Sequence, residues 1–368
     1  QHFDPMLAAY APETVERLAD LGVQLVGIDT ASIDPADSKD LPSHQVIRLR
    51  GLRVLENLVL AGDGEALQCF RRDLKIAARI KLNATAGKDA APGLLAMSNE
   101  VFIPQAGENA LLRASFVESS VTQLALDAPA LSTPIIYETQ DATSVKLLAV
   151  ATKSGFETHL LSDGSLNNRV SLNAAAAAPM GLVFDGESFY LPRNEGLLVA
   201  INGMTGLKKW DVNTGVEISG PPALDRATSV IALTGLNGVV TGRDVKTGVE
   251  KWKQDLGAPC ALGTHGVAAG FAIFQQDGKV KLLAAETGQP AWTAQLTGAP
   301  SLPLQSVNLS AGATAILACT FQADEKNPRH YLYALAPGTG VVLWRATLSG
   351  KPVAIASDSE GVYVSMDD

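Results

Sequence analysis

Thr205-Gly206-Leu207-Lys208-Lys209-Trp210 is the phrase whose reading decides the fold. Its frame, Thr-Gly with Trp four residues after the glycine, returns at Thr247-Gly248 to Trp252, Thr287-Gly288 to Trp292 and Thr339-Gly340 to Trp344. The four tryptophans of the 368-residue chain all close a copy, in steps of 42, 40 and 52 residues. A period of about 40 residues marks an array of small antiparallel sheets, each of which buries its apolar faces by stacking on a neighbour.

Working outward, a glycine lies nine residues before the threonine in three copies, at Gly196, Gly238 and Gly278. Short apolar runs flank each glycine, for example 188–191 before and 197–201 after Gly196. The unit therefore reads as strand, glycine turn, strand, Thr-Gly turn, and an outer strand carrying Trp, with the indole covering apolar area against the next unit. The longer last step contains a polar insertion at 322–329, which predicts a hairpin extension. Weaker copies lie upstream, around Ser162-Asp163-Gly164-Ser165, near Gly107 and near Gly64. The predicted fold is mainly β: a seven-bladed β-propeller of four-stranded blades over 61–368, with eight blades as the alternative. The closing run 361–366 matches a strand that precedes the glycine turn, so it is expected to join 64–70 and close the ring.

The phrase Ala-x-x-x-x-Thr-Gly-x-x-x-Trp, at 200–210 and 334–344, resembles the pyrroloquinoline-quinone-like repeat of quinoprotein-type propellers. Many proteins with that repeat, outer-membrane assembly scaffolds among them, bind no quinone. Relatives that do hold the quinone have an adjacent cysteine pair and an acidic calcium site. Here Cys69, Cys260 and Cys319 are far apart, so the resemblance implies a propeller without pyrroloquinoline quinone and without catalytic residues. The implied function is a noncatalytic scaffold that binds a protein partner through its loop face.

Residues 1–60 lack the period. Pro12 to Gly22 has a helix start and stop, with Val15, Leu18 and Leu21 on one stripe, and 23–29 reads as a buried strand. A second helix is predicted over about 43–52, leading into a strand at 54–60. The phrases Ala11-Pro12-Glu13-Thr14, Gly27-Ile28-Asp29-Thr30, Ser32-Ile33-Asp34-Pro35 and Leu55-Glu56-Asn57-Leu58, with Ser38-Lys39 and His44, resemble the C-terminal part of the bacterial kynurenine formamidase (cyclase) family. That resemblance implies a short α/β segment in which His44 and Glu56 are late metal ligands, with zinc as the metal. The family's upstream His-x-Gly-Thr-His-x-Asp motif is missing, and the histidines at 2, 44, 159, 265 and 330 form no ligand pair. A catalytic zinc needs three protein ligands and an open position. The expectation is a docking remnant, through which copies of the chain could associate. The alternative is a metal-dependent arylformamidase whose missing ligands come in trans or from an upstream segment.

A net charge of −9 disfavours nucleic acid as a partner. No apolar run approaches the length of a membrane span, so no membrane insertion is expected. The opening Gln-His-Phe-Asp-Pro shows no targeting signal, which leaves the compartment open between periplasm and cytoplasm.

Overall fold

The repeat phrase becomes legible once its contacts are seen. A computed structural model describes residues 11–21, 25–28, 42–50, 53–56, 59–62, 66–70, 76–81, 95–96, 100–105, 107–115, 120–139, 144–172, 181–308, 314–324, 328–357 and 362–367. The chain divides into two units, one of residues 1–89, 94–103 and 111–123, the other of residues 90–93, 104–110 and 124–368.

In the first unit, helix Pro12–Asp20 starts with proline in its first turn and buries Val15 completely. Helix Pro42–Arg50 buries Ser43 and Ile47. Its Arg50 ties the two helices together, donating to Glu16 and Asp20 at 2.5 Å each. Strands Leu25–Ile28 and Arg53–Glu56 pair in parallel, with Ile28 opposite Glu56. The helix between them gives this stretch the β–α–β order of an α/β segment. Strands Val59–Gly62, Ala66–Phe70 and Ile76–Lys81 form an antiparallel sheet. A four-stranded sheet follows: Leu95–Ala96, Glu100–Pro104, Ala110–Ser115 and Ser120–Ala125.

The second unit is a succession of antiparallel sheets in sequence order. Four have four strands each and begin at Ile135–Glu138, Val183–Phe184, Ala223–Asp225 and Cys260–Val267. A five-stranded sheet spans 299–348, and the pair Lys351–Ser357 and Val362–Asp367 comes last. Second strands such as Ser188–Pro192 and Val230–Thr234 are buried at every residue. Both faces of these strands are covered, so their sequences run apolar without alternation. Fourth strands such as Lys208–Asn213 and Pro290–Gln295 alternate between half-buried and exposed residues.

The register slips once between third and fourth strands, at the same place in each repeat: Ala200/Ile201, Gly242/Arg243, Leu282/Leu283 and Ala334/Leu335. The residue before each slip faces tryptophan, pairing Ala200 with Trp210, Gly242 with Trp252, Leu282 with Trp292 and Ala334 with Trp344. The same slip sets Thr158 opposite Asn168 and Cys69 opposite Ala78. Asn168 and Ala78 thus hold the tryptophan position in the weaker copies.

Each of the first three indoles reaches into the following repeat. Trp210 Nε1 donates to the Val245 carbonyl at 3.2 Å, Trp252 to Ala285 at 2.8 Å and Trp292 to Pro337 at 2.9 Å. Every acceptor stands three residues before the glycine of a Thr-Gly turn. The ring lies on that glycine: a Cβ on Gly288, whose φ is +69°, would stand 2.4 Å from Trp252 Cε3. On Gly340 it would stand 2.5 Å from Trp292 Cε3. Glycine is needed there for its left-handed backbone and for its missing side chain. The threonine braces the turn: in one copy the Asp244 carboxylate accepts from the Thr247 backbone N–H and hydroxyl at 3.0 Å each.

The polar insertion falls between strands Thr314–Gln322 and Arg329–Leu335, as expected, with 325–327 outside the described residues. Strand Val362–Asp367 pairs with Lys351–Ser357, and Ala66–Phe70 with Val59–Gly62 and Ile76–Lys81. The expected pairing of the closing strand with 64–70 is not found among the described residues.

Candidate binding cleft

In the second unit, the turn between second and third strands and the loop leading to the next sheet lie at the same end of a sheet. At the Val183–Asn213 sheet these are 193–196 and 214–218, and between them opens a cleft of about 550 Å³. Gly196 lets the two loops approach, since a Cβ there would stand 2.3 Å from the Val216 carbonyl oxygen. The Thr214 backbone N–H and hydroxyl both donate to the Gly196 carbonyl, at 2.8 and 2.7 Å. Asn213 Nδ2 donates to the Glu195 carbonyl at 3.2 Å. Glu195 adopts a φ of 60°, a costly conformation for a residue with a side chain.

Val216 and Ile218 give the cleft an apolar wall, buried to 5% and 2% exposure. Arg193, 1% exposed, is fixed from below: its guanidinium donates to the carbonyls of Thr152 at 3.0 Å and Lys153 at 2.8 Å. Burial lowers the pKa of that guanidinium. Glu195 and Glu217 stand exposed at the rim. The result is a firm, partly apolar recess with carboxylates at its mouth, suited to holding a segment that brings an apolar anchor and positive charge.

Sequence reasoning took Gly196 as a turn glycine and missed the cleft. The available signal was Arg193 following the apolar run 189–192, since a buried arginine calls for fixed acceptors.

Among the described residues the second unit holds one buried histidine–carboxylate pair, and its groups are spoken for. His159 Nε2 lies 3.0 Å from Glu157 Oε2. Glu157 Oε1 accepts from Arg169 Nε at 2.8 Å and the Asp127 backbone N–H at 2.9 Å. Burial pushes the Glu157 carboxyl up, but these bonds outweigh it and hold its pKa at about 2. Such a carboxylate is a structural anchor rather than a general base at neutral pH. Cys260 and Cys319 are buried, and burial pushes their thiols to about 12 and about 11. Neither is a nucleophile at neutral pH.

His44 lies on helix Pro42–Arg50 and Glu56 ends strand Arg53–Glu56; the side chains of both are outside the described residues. Among the described residues no three His, Cys, Asp or Glu side chains are grouped to hold a metal. No helix among them is long and apolar enough to cross a membrane.

Comparison with known proteins gives each end of the chain a relative. Residues at the N-terminal end are similar to kynurenine formamidase of Paracidovorax citrulli, 84% identical over 58 residues, which is 16% of this chain and 27% of that protein. The same enzyme of Delftia acidovorans is 83% identical over 58 residues, 16% of this chain and 28% of that one. The chain thus spans about a quarter of the length of these curated relatives. Among solved structures, BamB from Moraxella catarrhalis superposes with a TM-score of 0.61 at 15% identity, over 85% of this chain and 92% of that one. The computationally designed Ika8 protein gives 0.64 at 13% identity, over 84% and 90%. At such identities these likenesses show the fold alone, a propeller-like array of four-stranded sheets. The family model described as outer membrane protein assembly factor BamB matches residues 158–308 and 194–367, together more than half of the chain, and the chain therefore belongs to that family.

Proposed function

We propose that the chain is a noncatalytic propeller scaffold that holds a protein partner at the loop end of its sheets, in the cleft between 193–196 and 214–218. The observation that carries this reading is the recess itself: loops locked by Gly196 and Thr214, an apolar wall, and two exposed carboxylates over a buried arginine. Rigid surfaces of this kind bind by shape with little ordering cost. Membership of the BamB family supports a partner drawn from proteins of outer-membrane assembly. A photocrosslinker at Glu217 should capture that partner, and one at Lys246, in a turn at the other end of the sheets, should not. Equal capture from both positions, or capture unaffected by Val216→Asp, would refute the assignment.

The same reading divides the chain into a formamidase-like segment, 1–60, and a propeller, 61–368. We take the propeller to have eight repeats rather than seven. The slip between Ala66–Phe70 and Ile76–Lys81 marks those as third and fourth strands, so Val59–Gly62 is a second strand. Lys351–Ser357 and Val362–Asp367 follow a fourth strand and are therefore first and second. Two second strands do not fit in one repeat.

A second reading, metal-dependent arylformamidase activity, is favoured by the 84% identity over 58 residues. Imidazole and carboxylate suit zinc, and a bound zinc would activate a water. His44 and Glu56 alone are too few donors, so this reading needs ligands from another chain or segment. Zinc content of protein reconstituted with the metal, beside Glu56→Ala, tests it: stoichiometric zinc lost in the variant supports a surviving site, and no zinc above the variant rejects it.

A further inference from the structure

Arg243 stands where the other tryptophan-bearing repeats keep an aliphatic side chain. It follows the register slip in its sheet, as Ile201, Leu283 and Leu335 do in theirs. Those three are wholly buried, each in the apolar cluster that its sheet shares with the preceding one. Arg243 is buried too, at 7% exposure. Burial lowers the pKa of its guanidinium, and the nearest counter-charge, the Glu250 carboxylate, is 41% exposed and 3.4 Å away. Its Nε–H has no acceptor among the described residues. A buried cation with an exposed counter-charge and an unspent donor stabilises a fold no better than a well-packed aliphatic side chain. A rule of the repeat broken at such cost points to a task that the aliphatic residues do not perform.

The remaining bonds of Arg243 show that task. Its Nη1 donates to the Gly248 carbonyl at 3.0 Å and its Nη2 to the Thr214 carbonyl at 3.3 Å. Gly248 is the turn glycine on which Trp210 lies, since a Cβ there would stand 2.9 Å from Trp210 Cε3. Thr214 is the knot of the cleft. Its backbone N–H and hydroxyl hold the Gly196 carbonyl, and Gly215 to Ile218, which follow it, line the recess. With Arg243 on its carbonyl, Thr214 has every polar group engaged, on Gly196 at one side and on the next sheet at the other. The guanidinium thus ties the second loop of the cleft to the neighbouring repeat.

We propose that Arg243 is a positioning residue for the cleft: it holds the loop 214–218 from the neighbouring sheet, so that Val216 and Glu217 meet the partner already in place. This role rests on the cleft being the partner's seat, as proposed above. A loop fixed in its bound form has less freedom to lose on binding, so the effect of Arg243 falls on affinity more than on folding.

The test is Arg243→Leu in the whole chain, which puts the residue type of the equivalent positions at 243 and removes the tie. Native-state hydrogen exchange reads local opening without any partner. The Thr214 amide should exchange at least about tenfold faster in the variant, while amides of strand Leu197–Asn202 keep their rates. The melting temperature should stay within about 4 °C of the wild type, because leucine burial offsets the lost bonds. Capture of the partner from a photocrosslinker at Glu217 should fall at least about fivefold. Arg243→Lys, which keeps a donor but not the fork, should recover part of that capture.

An unchanged Thr214 amide would overturn the proposal whatever the partner does. A larger fall in melting temperature, with exchange raised throughout the sheet, would also overturn it, by making Arg243 a general support of the fold. Capture by the wild type and by Arg243→Leu alike would refute the role of Arg243 and leave the cleft standing. No selective capture by the wild type at Glu217 would instead refute the cleft itself, and the proposal with it.

Discussion

Three glycine-to-alanine substitutions separate the two reasons for glycine in the repeat. Gly338 has an ordinary φ and open space around its missing Cβ, so Gly338→Ala should be nearly neutral. Gly215 also faces open space but has a φ of +73°, so Gly215→Ala carries the left-handed penalty alone, about 1–2 kcal/mol. Gly288 has a similar φ, +69°, and its Cβ would stand 2.4 Å from Trp252 Cε3. Carbon atoms rest about 3.5–4.0 Å apart, so the indole must retreat by about 1 Å. It is held by its bond to the Ala285 carbonyl at 2.8 Å and is pinned from behind by Gly242, where a Cβ would stand 2.1 Å from the ring. Overpacking of that kind costs about 1–3 kcal/mol, for a total of about 2–5 kcal/mol at Gly288→Ala. In a unit of this size each kcal/mol lowers the melting temperature by about 2–4 °C. Thermal unfolding followed by circular dichroism should rank the variants Gly338, Gly215, Gly288, with roughly 10 °C lost at the last. Equal losses at Gly215→Ala and Gly288→Ala would show that the indole exerts no steric demand, and the account of the joint would fail.

The Glu157 carboxyl is held at about 2, below the ordinary 4.5, so it stabilises the fold above pH 4.5 and that contribution fades as pH falls towards 2. The shift corresponds to at most about 3 kcal/mol; urea midpoints of the wild type and Glu157→Gln should converge between pH 5 and pH 3, and a constant gap would refute the assignment. Arg193→Met leaves the Thr152 and Lys153 carbonyls without their donor and should cost about 1–3 kcal/mol in urea unfolding, with no loss predicting that water replaces the guanidinium. With Cys69→Ser as background, Cys260 and Cys319 should resist a thiol reagent at pH 8 until urea is added, because burial keeps both as thiols. Rapid labelling of the native protein would place them nearer the surface.

The array was legible in the sequence because its joint is built the same way three times. A tryptophan, a glycine and a carbonyl at fixed spacing do one physical job, so the phrase survives where the rest of each repeat drifts. The helix–strand order of 12–56 was legible too, from its proline start and Val15. Leu21 of the expected stripe, however, is 65% exposed, and the run 54–60, read as one strand, divides into Arg53–Glu56 and Val59–Gly62 in different sheets. The cleft was not, since it is made by loops of unlike sequence from either side of one sheet, and its key residue, Arg193, binds carbonyls some 40 residues away in the chain. The ends of the array were read least well. Closure by the final strand was inferred from one match, and strand position inside the repeat, which register reveals, is invisible to a pattern of residue types.

The Asn168 joint shows why weaker copies hide. Gly206 there meets Asn168 where an indole would lie, and Asn168 Nδ2 donates to the Thr205 carbonyl at 3.2 Å. The ladder carbonyl, three residues before that glycine, belongs to Gly203, and the Tyr137 hydroxyl donates to it at 2.8 Å. One tryptophan's two tasks, covering the glycine and capping the carbonyl, are divided between two residues from different strands of the preceding sheet. The contact is conserved in its physics and lost as a phrase, so a search for Thr-Gly-x-x-x-Trp stops one joint too soon. If that division of labour is real, Tyr137→Phe should destabilise the joint by about 1 kcal/mol in urea unfolding, the cost of an orphaned buried carbonyl. Asn168→Trp combined with Tyr137→Phe should recover that loss, because the new indole would reclaim both tasks. Failure of the double variant to recover would mean that Asn168 and Tyr137 fill the gap by coincidence of packing rather than as stand-ins for the missing ring.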